Sequence, residues 1–191
     1  MKKIISLFKR DYEGTRLVFN EVLSGAEWVI NGEGSATVKI DGTSCLVRDG
    51  KLYKRYDAKK GKQPPAGFEP AQDPDPITGH HPGWLLVSDT DPSDRWHREA
   101  FAQHATLADG TYELIGEKVQ GNPHGITGHA LIRHGEWLFD NEPPRTFDEL
   151  KTWFATNMVE GIVWQHPSGA MVKIKRRDFG LPWGMSGKRA N

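Results

Sequence analysis

The stretch Ala36–Arg55, ATVKIDGTSCLVRDGKLYKR, constrains the fold more than any other part of the chain. Its first part alternates as a strand does: Ala36, Val38 and Ile40 fall on one face and Lys39 on the other. Leu46 and Leu52 continue a strand pattern further on. Asp-Gly occurs twice, at Asp41-Gly42 and Asp49-Gly50. That pair between apolar alternations predicts a hairpin turn. A meander of short antiparallel strands is the expectation, with Lys39 placed unexpectedly in what reads as strand interior.

The rest of the chain supports an α+β class. The segment before Asn31 holds short apolar patches, RLVFNEVL and AEWVI, suited to two short strands or a strand and a helical turn. WLLV (84–87), TYELIGEKV (111–119) and the pair within ALIRHGEWLF (130–139) read as strands or a hairpin. EGIVWQHPSGAMVKIKRR (160–177) reads as a hairpin around HPSG. DPSDRWHREAFAQHA predicts a helix capped by Ser93 or Asp94, with Trp96, Ala100, Phe101 and His104 at helical spacing. PPRTFDELKTWFATN predicts a second helix with Thr146 as its cap. Residues 57–82 are rich in Pro, Gly and Asp and cannot form a regular element; long loops of this kind tend to be functional. One domain over 1–191 is expected, with 184–191 as a frayed tail.

Bulk charge selects no partner, since 25 Lys+Arg balance 25 Asp+Glu. Two local basic runs stand out, Lys54–Lys62 and Lys173–Arg177, with Tyr53, Tyr56 and Phe179 beside them. Basic runs with aromatic neighbours favour a phosphate-rich partner. The single cysteine, Cys45, excludes an internal disulfide and reads as a small buried hydrophobe. The apolar run in MKKIISLFKRD is too short for a signal peptide, and nothing approaches a membrane span; a cytoplasmic location is expected. The eight histidines show no zinc spacing, and no zinc is assigned.

Four short motifs fall at strand positions in a fixed order: KIDGT (39–43), YELIG (112–116), EGIVW (160–164) and VKIK (172–175). As an ordered set they resemble the covalent nucleotidyltransferase superfamily of ATP-dependent DNA ligases, RNA ligases and mRNA capping enzymes. The longer blocks GEGSATVKIDGT, PDPITGHHPGW, YELIGEKVQGNPHG, EGIVW and VKIKRRDFGLPW look like the branch of small ATP-dependent RNA ligases found in bacteria, phages and animals. The resemblance implies a nucleotidyltransferase (ATP-grasp-like ligase adenylation) fold of antiparallel sheets flanked by helices. It further implies a stand-alone catalytic domain, because too little chain follows Lys175 for an OB-fold of about five strands. An accessory protein or an oligomer is then expected in its place.

The resemblance also implies roles. Lys39 is the nucleophile that becomes AMP-lysine. Lys173 and Lys175, which share one strand face, bind the α-phosphate. Glu160 is the metal-associated carboxylate, and Glu113 contacts the ribose and is a second candidate for the metal. Val38 and Arg55 complete the nucleotide contacts, with Arg55 on phosphate and His124 or an apolar neighbour as the candidate on the adenine; Asp41 either holds the turn after Lys39 through its side chain or hydrogen-bonds near the site. ATP with Mg²⁺ or Mn²⁺, and RNA 5′-phosphate and 3′-hydroxyl ends, are the implied cofactors and partners. The chemistry fits these residue types. A lysine amine attacks phosphorus only when deprotonated, free lysine titrates near ~10.4, and burial with neighbouring cations lowers that value. Three rivals remain at this point: a capping guanylyltransferase, a minimal DNA ligase and a non-catalytic RNA-end-binding module.

Overall fold

The computed structural model describes residues 4–59, 61–76 and 79–184, so the expected frayed tail lies outside them except for Gly184. The chain forms two compact units, one over Asp41–His134 and one assembled from 4–40 and 135–184. It starts in the assembled unit with β1 (Ile5–Ser6), β2 (Phe8–Arg10), β3 (Val18–Val22), the single turn α1 (Glu27–Ile30) and β4 (Ser35–Lys39). It then builds the continuous unit from β5 (Thr43–Arg48), β6 (Lys51–Ala58), β7 (Glu69–Pro70), β8 (His81–Leu86), α2 (Arg95–Ala102), β9 (Gly110–Gly116) and β10 (His129–Arg133). It returns with α3 (Phe147–Thr156), β11 (Gly161–Gln165) and β12 (Met171–Lys175). The α+β expectation holds. Among the described residues no helix is long and apolar enough to cross a membrane.

The assembled unit carries a four-stranded sheet in the order β1-β12-β11-β4. It is antiparallel except for the edge pair β1–β12, which is parallel. Strand alternation sorts its residues cleanly. Ala36, Ile162, Trp164, Val172 and Ile174 face the core and are buried. They pack with Leu7, Phe8, Val29 and Phe179, and with Leu150 and Phe154 of α3, which lie one helical turn apart. Fully burying a side chain of this size contributes roughly 1.5–3 kcal/mol. Thr146 heads α3 as expected, with its hydroxyl bonded to the Glu149 carboxylate at 2.6 Å rather than to backbone.

The continuous unit carries a six-stranded antiparallel sheet, β10-β9-β5-β6-β8-β7. Cys45, Val47, Leu52, Tyr112, Leu114 and Leu131 form its core with Ala100 of α2. Burial pushes the Cys45 thiol well above its ordinary range, so it is an inert core residue. Asp94 heads α2, but its carboxylate does not cap it. It pairs with Lys54 and accepts the Ser88 N–H at 2.8 Å, while Asp91 caps the 3₁₀ turn before the helix. α2 stops at Ala102, short of His104.

Several local expectations change. Asp49-Gly50 is a hairpin turn with both residues at positive φ, 51° and 69°. Asp41-Gly42 is not one: β4 pairs with β11, and β5 pairs with β6 and β9, so the chain there leaves one sheet for the other. Gly42 has no positive φ either. It is needed for space, because a Cβ would collide with the Leu114 carbonyl and lie 2.9 Å from Glu113 Cγ and Ile115 Cγ2. ALIRHGEWLF is not a hairpin; β10 pairs with β9, and Leu138 instead bridges Thr37 of β4. The stretch 57–82 is not wholly irregular: β6 runs on to Ala58, β8 starts at His81, and the two-residue β7 forms on the sheet edge, where Pro70 removes no needed donor. Lys60, Ile77 and Thr78 of that stretch lie outside the described residues.

Candidate active site

The face of the four-stranded sheet opposite its core holds Lys39, Thr37 and Ser35 from β4 with Lys173 and Lys175 from β12. These strands flank β11, and Gly161 stands level with both Lys39 and Lys175. A Cβ at Gly161 would strike the Ile174 carbonyl, so the residue after Glu160 must be small. Glu160 enters β11 directly from this end. Its Oε2 pairs with Lys39 Nζ at 2.7 Å and its Oε1 with Lys175 Nζ at 3.4 Å. The carboxylate is nearly buried, 8% exposed, whereas Lys39 and Lys175 keep 22% and 34%.

Lys173 differs from its neighbours. Its side-chain amine makes no hydrogen bond or ion pair among the described residues, while its backbone carbonyl accepts the Leu7 N–H at 2.8 Å. Burial, then the Lys175 and Lys39 charges, push its amine down to about 8, against weaker opposite pulls from Asp178 and Glu160. Three lysines against one clasped carboxylate make a local excess of positive charge, which suits a polyanion. Val38 lies between Thr37 and Lys39 with its side chain half-buried on the other face, opposite Ile162. Further along the lysine face, a cleft of about 560 Å³ is lined by Ser35, Thr37, Leu138, Gln165 and His166 among others. Thr37 Oγ1 donates to the Val163 carbonyl at 3.0 Å and lies 3.4 Å from Gln165 Nε2.

The continuous unit places Glu113 and Arg55 in one cross-strand row. Ile132 pairs with Glu113, Glu113 with Ser44, and Arg55 with Trp84. One register step beyond Cys45–Lys54 brings Ser44 level with Arg55. Glu113 and Arg55 therefore share the face opposite the core, two strands or about 10 Å apart. Glu113 Oε2 bonds His134 Nε2 at 2.8 Å. Arg55 lies over the Trp84 ring, 5.6 Å from its centroid, and its Nε is 3.4 Å from Asp57 Oδ1. Ser44 Oγ, between them, is buried without a hydrogen-bond partner among the described residues.

His124 Nε2 accepts the Asp41 backbone N–H at 3.1 Å, and Gln120 Nε2 donates to the Gly42 carbonyl at 3.3 Å. The loop after β9 is thus tied to the Asp41-Gly42 segment. Asn122 clasps the same loop through two bonds to Ile126, 2.9 and 3.1 Å.

Part of each basic run is structural. Arg176 is buried and donates to the carbonyls of Pro182 and Asn157, and Arg177 donates to that of Trp183. Lys54 is paired with buried Asp94. His134, Ser44 and Thr37 had no motif to mark them; only strand register brings them beside Glu113, Arg55 and Lys39.

A family model described as RNA ligase 1 matches residues 99–191. That stretch holds Glu113, Glu160, Lys173 and Lys175, with Lys39 upstream of it. The chain is 27% identical to RNA ligase 1 of Danio rerio over 92% of its own length and 76% of that protein's. It is 26% identical to RNA ligase 1 of Rattus norvegicus over the same shares, and 26% identical to that of Pongo abelii over 77% and 67%. These likenesses bear out the resemblance drawn from the motifs and support an RNA ligase domain of nucleotidyltransferase type.

Proposed function

We propose that this chain is an ATP-dependent RNA ligase that works through a lysyl-AMP intermediate in the cytoplasm. The observation that carries the reading is the cluster of Lys39, Lys173 and Lys175 around Glu160 on one open sheet face. The likeness to RNA ligase 1 proteins supports RNA as the nucleic acid.

Lys39 Nζ attacks the α-phosphorus. An N–P bond forms as the bond to the β-phosphate oxygen breaks, and pyrophosphate leaves. The ammonium proton must depart before the attack, and the 2.7 Å pair with Glu160 Oε2 holds the amine in place until then. Lys173 and Lys175 stabilise the charge that develops on the α-phosphate oxygens. The oxygen of an RNA 5′-phosphate then attacks the same phosphorus, and Lys39 departs as the amine. Finally the RNA 3′-hydroxyl attacks the 5′-phosphorus and gives its proton to solvent, and AMP leaves with the electrons of the broken bond.

In this reading Glu113 is the residue for the ribose hydroxyls and Arg55 the one for a phosphate, the roles that the motif resemblance implies. Magnesium or manganese fits the donor set, since such ions take hard oxygens and commonly one or two carboxylates with substrate phosphates. Glu160 is the carboxylate for it, and the ion supplies neutralising charge on the phosphates.

Incubation with ATP and Mg²⁺ or Mn²⁺ should add one adenylyl group, seen by intact mass, and Lys39→Ala should abolish it. An adduct that persists in Lys39→Ala overturns the nucleophile. No adduct under either metal would favour an RNA-end-binding module. A preference for GTP, or for nicked DNA over single-stranded RNA, would redirect the reading to a capping enzyme or a DNA ligase.

A further inference from the structure

Arg10 ends β2, far in sequence from the lysines, and no motif includes it. Its guanidinium forks between two acceptors: Nη1 donates to the Arg16 carbonyl, and Nη2 pairs with Asp178 Oδ1. Asp178 lies in the 3₁₀ turn Arg176–Phe179 that leaves β12, with its side chain 8% exposed. Its other oxygen accepts the Lys175 backbone N–H at 2.8 Å. Both oxygens of this buried carboxylate are therefore occupied by Arg10 and by the backbone of the paired-lysine strand.

The consequence falls on Lys173. Two carboxylates act on it electrostatically, Glu160 from the start of β11 and Asp178 from the turn after β12. Its cationic neighbours are Lys175 on its own strand and Lys39 on β4. Glu160 is taken up by Lys39 and Lys175. Asp178 is taken up by Arg10 and the Lys175 amide. Lys173 alone of the three lysines is left without an ion pair. An ammonium in that state binds an incoming phosphate without first breaking a salt bridge, and it cannot be neutralised by a carboxylate of its own chain.

We propose that Arg10 is a positioning residue of the site: by holding Asp178 against the Lys175 amide, it keeps a second carboxylate off Lys173 and leaves that ammonium for a ligand phosphate. What the ammonium binds rests on the nucleotide reading above. The linkage from Arg10 through Asp178 to Lys175 does not. Without the Arg10 charge, Asp178 becomes a buried carboxylate with one partner missing, a costly state. Arg176 and Arg177 are engaged by carbonyls, and Lys173 is the nearby lysine that lacks an ion pair, so the carboxylate turns to it and competes with the phosphate.

The test compares Arg10→Gln, Arg10→Lys, Asp178→Asn and the double variant Arg10→Gln/Asp178→Asn. Two readouts are needed: hydrogen exchange at the Lys175 amide, and the ATP concentration that half-saturates adduct formation. In Arg10→Gln the Lys175 amide should exchange at least about tenfold faster and half-saturation should rise about tenfold, the scale of one charge-assisted contact. Arg10→Lys keeps the charge and should stay near wild type. The double variant should recover half-saturation to within about threefold of wild type, because the competing carboxylate is gone. Asp178→Asn alone should also keep wild-type half-saturation; it serves if Arg10→Gln does not fold.

A simple staple between β2 and the turn predicts otherwise. Arg10→Gln and Asp178→Asn would then lose ATP affinity alike, and the double variant would be no better than either; that pattern overturns the proposal. Wild-type exchange at Lys175 in Arg10→Gln overturns it equally. If wild type forms no adduct, the nucleotide reading fails, while the exchange readout still decides whether Arg10 holds Asp178 on the Lys175 amide.

Discussion

Raising the pH should weaken ATP binding through Lys173, and the size of the effect follows from its surroundings. Burial and the Lys175 and Lys39 charges bring its amine down to about 8 from the ordinary 10.5. The ammonium is then about 90% populated at pH 7 and about 10% at pH 9. A bound α-phosphate favours the ammonium, so binding takes up a proton wherever the free site has lost one. The affinity should be level below pH 7.5 and fall about tenfold between pH 7 and 9, a change of about 1.4 kcal/mol. ATP contributes little of its own there, since the last ionisation of a phosphate lies near ~6. Calorimetry in two buffers of different ionisation enthalpy counts the protons, with uptake approaching one near pH 9. Lys173→Arg keeps its charge throughout and should flatten the profile. Folding carries the opposite sign: the unfolded chain holds this proton up to about 10.5 and the folded chain releases it near 8, so the Lys173 contribution destabilises fully below pH 8 and fades as pH rises to 10.5. A wild-type affinity that is level from pH 7 to 9, or a Lys173→Arg profile that falls just as steeply, would refute the unpaired, half-buried ammonium.

Gly42→Ala should lower the unfolding free energy by about 2–4 kcal/mol, measured in urea, because the new methyl meets the Leu114 carbonyl with nowhere to go; an unchanged midpoint would show that the segment yields freely. His134→Ala removes the 2.8 Å side-chain bond to Glu113 and should raise half-saturation by ATP about tenfold. His134→Gln, which can still donate to the carboxylate, should recover part of that loss. Wild-type saturation in His134→Ala would mean that Glu113 needs no partner or makes no contact.

What could be read from the chain was local. Alternation alone put Lys173 and Lys175 on one face of β12, and the order of the four motifs pointed to Lys39, Glu113 and Glu160. Two failures have one cause. Asp41-Gly42 has the same local chemistry as Asp49-Gly50, yet one is a crossover and the other a hairpin. The difference lies in β11, which arrives from far along the chain to take the edge of β4 that a hairpin partner would have used. His134, Ser44 and Arg10 were missed for the same reason. Each becomes significant through register or reach between segments remote in sequence, and nothing within a window of ten residues encodes that. Arg176 and Arg177 failed in the other direction, since a basic run shows nothing of the carbonyls that will satisfy it.

The lysine face is nevertheless fixed by something the chain states plainly. In β12, Val172 and Ile174 are fully buried, and so are Ile162 and Trp164 across β11. Because side chains alternate, that burial forces Met171, Lys173 and Lys175 to the opposite face. A slip of one residue would send Lys173 and Lys175 into the apolar core and expose Val172 and Ile174. Losing those two burials alone costs roughly 3–6 kcal/mol, and unpaired ammonium groups in the core would add several more. The core therefore sets the register, and the register sets which atoms confront a phosphate. The same logic holds in the other sheet, where buried Cys45, Tyr112 and Leu114 leave Ser44 and Glu113 on the far face. Substitutions that loosen these cores should accordingly damage the site before they unfold the chain, by letting the lysines sample the wrong face.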